Sequence, residues 1–122
     1  MNLRIDEAKN IAYIALSGRL TERVILDAFD ASVSSEDYKS GMGRLWDFTK
    51  ADLSSLNSST IRRMAQHSKE FPPGINDVKV AFVVDRPVEY GLARMFEAFS
   101  QDASTEIAVF YRLEEAEAWM AG

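Results

Sequence analysis

Three groups of side chains carry whatever chemistry this chain can do. Ser58, Ser59 and Thr60 stand together where the chain enters a helix. A hydroxyl at such a place can accept a backbone N–H, a cap that contributes about 0.5–2 kcal/mol. A phosphate there would be favoured by the same exposed N–H groups and by the helix dipole. Both uses need one geometry, so position alone does not separate them; capping is the ordinary use, and a phosphoacceptor role for Ser58 and Ser59 is the alternative. Asp85-Arg86-Pro87 stands at the start of a later helix. Pro87 suits a first turn, where a missing N–H is no loss, and Asp85 can cap it. In the other use, Asp85 and Arg86 meet the Ser54–Thr60 loop at the carboxyl ends of adjacent strands, where open α/β sheets bind ligands. Tyr90 and Arg94, four residues apart, share a helix face. With Arg86 they could receive an anionic ligand or partner; the ordinary use is a Tyr–Arg stack and Arg–Glu pairs with Glu89 or Glu97.

Other chemistries lack their residues. His67 is the only histidine and there is no cysteine, so a His/Cys metal site, a disulfide and a thiolate nucleophile are excluded. Gly41-Met42-Gly43 lacks the further glycine and the preceding strand of a phosphate-binding or dinucleotide-binding turn. No cofactor or metal is expected. Catalysis would fall to Asp47, His67 or Asp85, and no Ser-His-Asp arrangement can be located from spacing.

The elements that must position these groups follow from periodicity. Leu3–Ile5 and Ile11–Leu16 read as two strands of a hairpin, the second apolar on both faces and therefore interior. Thr21 can cap a helix whose Val24, Ile25, Ala28 and Phe29 share one face. Ser34–Gly43 reads as a loop and Arg44–Thr49 as a strand. Ile61, Met64, Ala65 and Ser68 mark a second helix, ended by Phe71-Pro72-Pro73-Gly74. The stretch Val80–Met120 is the most regular: strand Val78–Val84, helix from Pro87 through Phe99, strand Ile107–Tyr111, closing helix Leu113–Met120. Val88, Leu92, Met95, Phe96 and Phe99 form that long helix's core-facing stripe, and Gly91 within it implies close approach to a neighbour or an opening beside a pocket. The sum is an α/β fold, a single mixed sheet of about five strands with four helices in the order β-β-α-β-α-β-α-β-α.

The 122 residues fit a single domain spanning 1–122. A 47% hydrophobic and 27% charged composition is that of a globular chain. The net charge of −5 argues against nucleic acid as a partner. The basic residues Arg62, Arg63, Lys69, Lys79, Arg86 and Arg94 read as solvated helix faces. With no signal-like start and no apolar run near the roughly 18 residues that span a bilayer, a cytoplasmic protein with no membrane span is expected. An open sheet keeps edges that need management, which favours a homodimer.

The order of elements, with a Ser/Thr-rich connection after a strand ending Trp46-Asp47-Phe48-Thr49, resembles the STAS fold of bacterial anti-sigma factor antagonists. More closely, the chain is similar to uncharacterised bacterial SpoIIAA-like (STAS/SEC14-type) domain proteins. The residues that carry the resemblance are Gly18-Arg19-Leu20-Thr21, Trp46-Asp47, Tyr90 to Phe99, Ile107 to Tyr111 and Glu114 to Trp119. It implies a sheet with helices mostly on one side and a role in binding or regulation. In the sigma-factor regulators a serine at the start of the second helix is phosphorylated by a partner kinase. The Asp-Ser-Ser-Gly-like pattern usual there is replaced here by the longer Leu53-Ser54-Ser55-Leu56-Asn57-Ser58-Ser59-Thr60. The expected function is a non-catalytic STAS-like regulatory module that binds a protein partner. Its competitor is a carrier of a small ligand or lipid-like anion, since the CRAL-TRIO lipid-transfer fold has related topology.

Overall fold

Side chains alternate across a strand, and the middle strand of this protein uses both of its faces. The structure is a computed structural model describing residues 1–122. It contains strands β1 (Asn2–Asp6), β2 (Ile11–Arg19), β3 (Gly43–Asp52), β4 (Lys79–Val83) and β5 (Glu106–Phe110). The helices are α1 (Glu22–Val33), α2 (Ser58–Ser68), α3 (Pro73–Asn76), α4 (Pro87–Phe99) and α5 (Leu113–Ala121). The five strands lie in the sheet in chain order. β1 is antiparallel to β2, and β2 to β5 run parallel, so the sheet is mixed.

On one face of β3, Trp46 and Phe48 join Ile14, Val80 and Phe82 beneath α1, α2 and α4 in the large core. Its aromatic spine runs Trp46–Phe48 (5.8 Å), Phe48–Phe82 (5.9 Å) and Phe82–Phe96 (5.5 Å, edge to face). On the other face Leu45 packs with Ile11, Tyr13, Ala81 and Val83 against Ala116, Trp119 and Met120 of α5. α5 is also held by Glu117, which accepts the Tyr13 hydroxyl at 2.6 Å and Lys9 Nζ at 3.3 Å, and by Lys79 Nζ donating to the Trp119 carbonyl at 3.0 Å.

The structure departs from the sequence expectation in four places. There are five helices, not four. The Pro72-Pro73-Gly74 segment opens the short α3, because Pro73 at a first helical position has its φ already set and needs no N–H partner. β2 and β3 run three residues beyond Leu16 and Thr49. A register irregularity between Ala15 and Ser17 lets Ser17–Arg19 pair with Lys50–Asp52, and Gly18 takes the positive φ of +79° that this path requires. Val24 and Val88, expected in helix core stripes, are 43% and 53% exposed, each in the first turn of its helix. Lastly, Gly91 makes no close approach, for a Cβ built there meets nothing within 4 Å.

Gly91 therefore carries the entropic penalty of a helical glycine with no packing benefit. Gly91→Ala should raise stability by about 0.5–1 kcal/mol in a denaturant titration; a loss of stability would show a contact at this position.

Candidate functional site

The segments expected to form a site are joined to each other by a buried carboxylate. Glu89 is only 1% exposed. It receives Arg86 through two bonds, Nε to Oε1 and Nη2 to Oε2, each 2.8 Å. Oε2 also accepts the Leu53 backbone N–H at 3.1 Å, which fastens the loop after β3 to the first turn of α4. Arg86 reaches Asp52 as well, at 3.5 Å, and Asp52 accepts both the backbone N–H (2.9 Å) and the hydroxyl (2.6 Å) of Ser54. Burial alone would raise the pKa of Glu89, but the Arg86 guanidinium and the Leu53 N–H outweigh it and hold the carboxyl below its ordinary range.

Asn57, not a serine, caps α2: its side chain accepts the Thr60 N–H at 3.0 Å, and the Thr60 hydroxyl accepts the Asn57 N–H at 2.9 Å. Ser58 and Ser59 occupy the first two helical positions, exposed, with no hydrogen bond from their hydroxyls. Asp85 is exposed and caps nothing; the residue before Pro87 at the start of α4 is Arg86, which turns its side chain to Glu89 instead. Tyr90 stacks on Tyr111 at 4.8 Å with the rings 9° from parallel. Arg94 pairs with Glu97 at 3.0 Å and lies 3.5 Å from the Tyr90 hydroxyl, the ordinary use of that spacing. The basic residues of the middle segment are likewise engaged: Arg63 with Glu22 at 2.8 Å, and Arg62 over the Phe99 ring at 4.4 Å.

An apolar space lies below these loops. A cavity of about 70 Å³ sits between the sheet and helices α1, α2 and α4, and 16 of its 21 lining residues are hydrophobic. Leu53 and Leu56 bring the loop after β3 to its wall, whereas Ser58, Ser59, Asp85, Arg86, Tyr90 and Arg94 stand outside it. His67 lines it from α2 and pairs with Asp30 of α1 at 2.9 Å.

The sequence reading overlooked Arg44. It is 2% exposed, follows Gly43 at the start of β3 and shares the face of Trp46 and Phe48. Its Nη1 donates to the Tyr38 hydroxyl at 2.7 Å and to the Ile75 carbonyl at 2.8 Å, and its guanidinium lies over the Phe29 ring at 5.1 Å. Desolvation pulls its pKa down, with Tyr38 opposing, yet a guanidinium remains a cation at any ordinary pH. Period-2 alternation in Arg44-Leu45-Trp46-Asp47-Phe48 was the signal that placed it inside. The same alternation puts Asp47 on the opposite face from Trp46, with its carboxylate accepting the Thr49 N–H and hydroxyl. Asp47 and His67 are therefore separated by the sheet.

Glu89→Ala leaves the buried Leu53 N–H without an acceptor, at a cost of about 1–3 kcal/mol near neutral pH. Because the folded pKa of Glu89 is depressed, its stabilisation is fully present above the unfolded carboxyl value and is lost as pH falls through the folded value. Wild-type and variant unfolding curves should converge in that acid range; a gap that stays constant down to pH 2 would mean the carboxylate charge contributes nothing.

No protein-family model matches the chain, and no curated protein matches it. Among solved structures, an uncharacterised protein from the DUF3478 family with a SpoIIAA-like fold, from Shewanella loihica PV-4, aligns with a TM-score of 0.59. The match covers 98% of this chain and 92% of that one at 16% identity. The chain thus has a SpoIIAA-like fold.

Proposed function

We propose that this protein is a non-catalytic binding module whose cargo is a small, mainly apolar molecule held between the sheet and helices α1, α2 and α4. The observation that carries this reading is the cavity there, walled mostly by apolar side chains and reached by Trp46. Well-packed interiors leave few spaces larger than a water molecule, and concave, apolar spaces with a few polar groups are where small ligands bind. No helix of the protein is long and apolar enough to cross a membrane.

The test uses a neutral fluorescent probe, N-phenyl-1-naphthylamine, with Trp46 as donor. The wild type should take it up saturably. Ala93→Phe, which puts a ring into the cavity from α4, should weaken uptake about tenfold or more with the thermal midpoint kept. Ile107→Phe from the sheet side is the second variant should Ala93→Phe fold poorly. Uptake that both filled variants retain would overturn the reading.

A second reading, a regulatory module that binds a protein partner or a second copy, is favoured by the exposed apolar residues at the carboxyl end of the sheet. Val88, Tyr111 and Leu113 are 53%, 48% and 38% exposed, beside the Tyr90–Tyr111 stack. Asp85, Arg86, Tyr90 and Arg94 would then belong to the contact surface. Ser58 and Ser59, with free hydroxyls at a helix start, would be its phosphoacceptors. In the second-copy form, sedimentation should show a dimer that Val88→Ser with Leu113→Ser dissociates. A monomer at every concentration removes that form.

A further inference from the structure

Two buried side-chain polar atoms in this protein have no hydrogen-bond partner, Arg44 Nε and Ser100 Oγ, and both residues line the same cavity. Each residue is 2% exposed. A buried polar atom without a partner costs free energy and calls for an explanation. The cost is steeper for Arg44, a buried cation, because an unpaired buried charge is held against several kcal/mol of desolvation. No Asp or Glu side chain pairs with it: its two hydrogen bonds go to an uncharged hydroxyl and a backbone carbonyl. Both leave through Nη1, so the Nε edge of the guanidinium is uncommitted.

We propose that the cavity receives an amphipathic carboxylate, with the Nε edge of Arg44 and the Ser100 hydroxyl as its head-group site; this rests on the reading of the cavity as a ligand site. The Nε edge of a guanidinium presents parallel N–H groups that match a carboxylate side on. The Ser100 hydroxyl can donate to a carboxylate oxygen, which satisfies both orphaned atoms with one anion. A neutral apolar molecule would fill the same space and leave the cation uncompensated. A dianionic phosphate brings more acceptor sites than these two groups can satisfy. The apolar walls around Trp46, Phe82 and Phe96 take the hydrocarbon tail. Arg44 stands at the first residues of β3 and Ser100 directly follows the last residue of α4, so the head group lies at one end of the cavity and the tail points toward Leu53 and Leu56.

Octanoate and 1-octanol differ mainly in their head groups and separate the two questions. Binding to the full-length wild type is followed by nuclear magnetic resonance with nitrogen-15 arginine labels, which report the Nε–H of Arg44 directly. The expected result is octanoate binding about tenfold or more tighter than octanol, with the Arg44 Nε–H resonance moving on octanoate addition only. Arg44→Met should abolish the preference while octanol still binds. Ser100→Ala, which removes an unpaired hydroxyl and leaves the fold undisturbed, should reduce the preference by a smaller factor. Equal affinity for the two ligands, or an Nε–H resonance that octanoate leaves in place, overturns the head-group assignment while the apolar-ligand reading stands. Failure of both ligands to bind overturns that reading and the assignment with it.

Discussion

A carboxylate that is 1% exposed has to be satisfied or neutralised, and the way Glu89 is satisfied sets the geometry of the helical layer. Its acceptors are shared between Arg86, on the approach to its own helix, and the Leu53 N–H, on a loop 36 residues earlier. One charge therefore fixes the angle at which α4 leaves β4 and the path by which the chain leaves β3 for α2. With those two helices placed, Leu53, Leu56, Ala93 and Phe96 form a wall over the sheet, and the space under them has a defined shape. Loop and helix are held by an ion pair on the outer side and by apolar packing on the inner side, so the rim is polar and the interior is not.

The wall of the cavity changes character at one end. Phe48, Phe82 and Phe96, whose rings meet at stacking or edge-to-face distances, make a continuous apolar side. At Arg44 the pattern breaks. A leucine there would fill the space and cost nothing in desolvation, and replacement of buried ionic groups by apolar residues is often neutral or stabilising. The arginine is instead supported by Tyr38, which itself donates to the Met42 carbonyl at 2.9 Å, and by the carbonyl of Ile75 on α3. Two separate segments, the loop before β3 and α3, are thus spent on orienting a cation that has no counter-charge, which is the arrangement of a positioned recognition group.

Much of this was legible in the sequence. Strand and helix order came from apolar periodicity alone, because long amphipathic stretches such as Pro87–Phe99 have one solution. The short α3 was not legible, since two prolines and a glycine punctuate a chain whether or not a helical turn follows them. Glu89 and Arg44 were hidden for a shared reason. Charged residues are rarely buried, so pattern reading assigns them to solvent and only the partners, 36 residues away for Glu89 and 31 for Arg44 and Ile75, show otherwise. The Arg86–Glu89 spacing of three was available as a signal, as was the alternation that sets Arg44 beside Trp46. Neither spacing says that a carboxylate will be engulfed or that a guanidinium will lack an anion.

The expected site at the carboxyl edge of the sheet depended on a rule whose condition this topology does not meet. Ligands bind at that edge in doubly wound sheets because strand order reverses, and the diverging connections on either side of the reversal open a crevice. Here β2, β3, β4 and β5 lie in sequence and all step in one direction. Right-handed crossovers that step the same way place their helices on the same face, so α1, α2 and α4 form one layer and no reversal opens the edge. Only α5, with no strand after it, folds to the other side, where it covers Leu45 and its neighbours. The loops at the edge are therefore free to close on each other through Asp52, Arg86 and Glu89. The apolar cavity lies instead beneath the single helical layer, on the face of β3 that carries Arg44, Trp46 and Phe48.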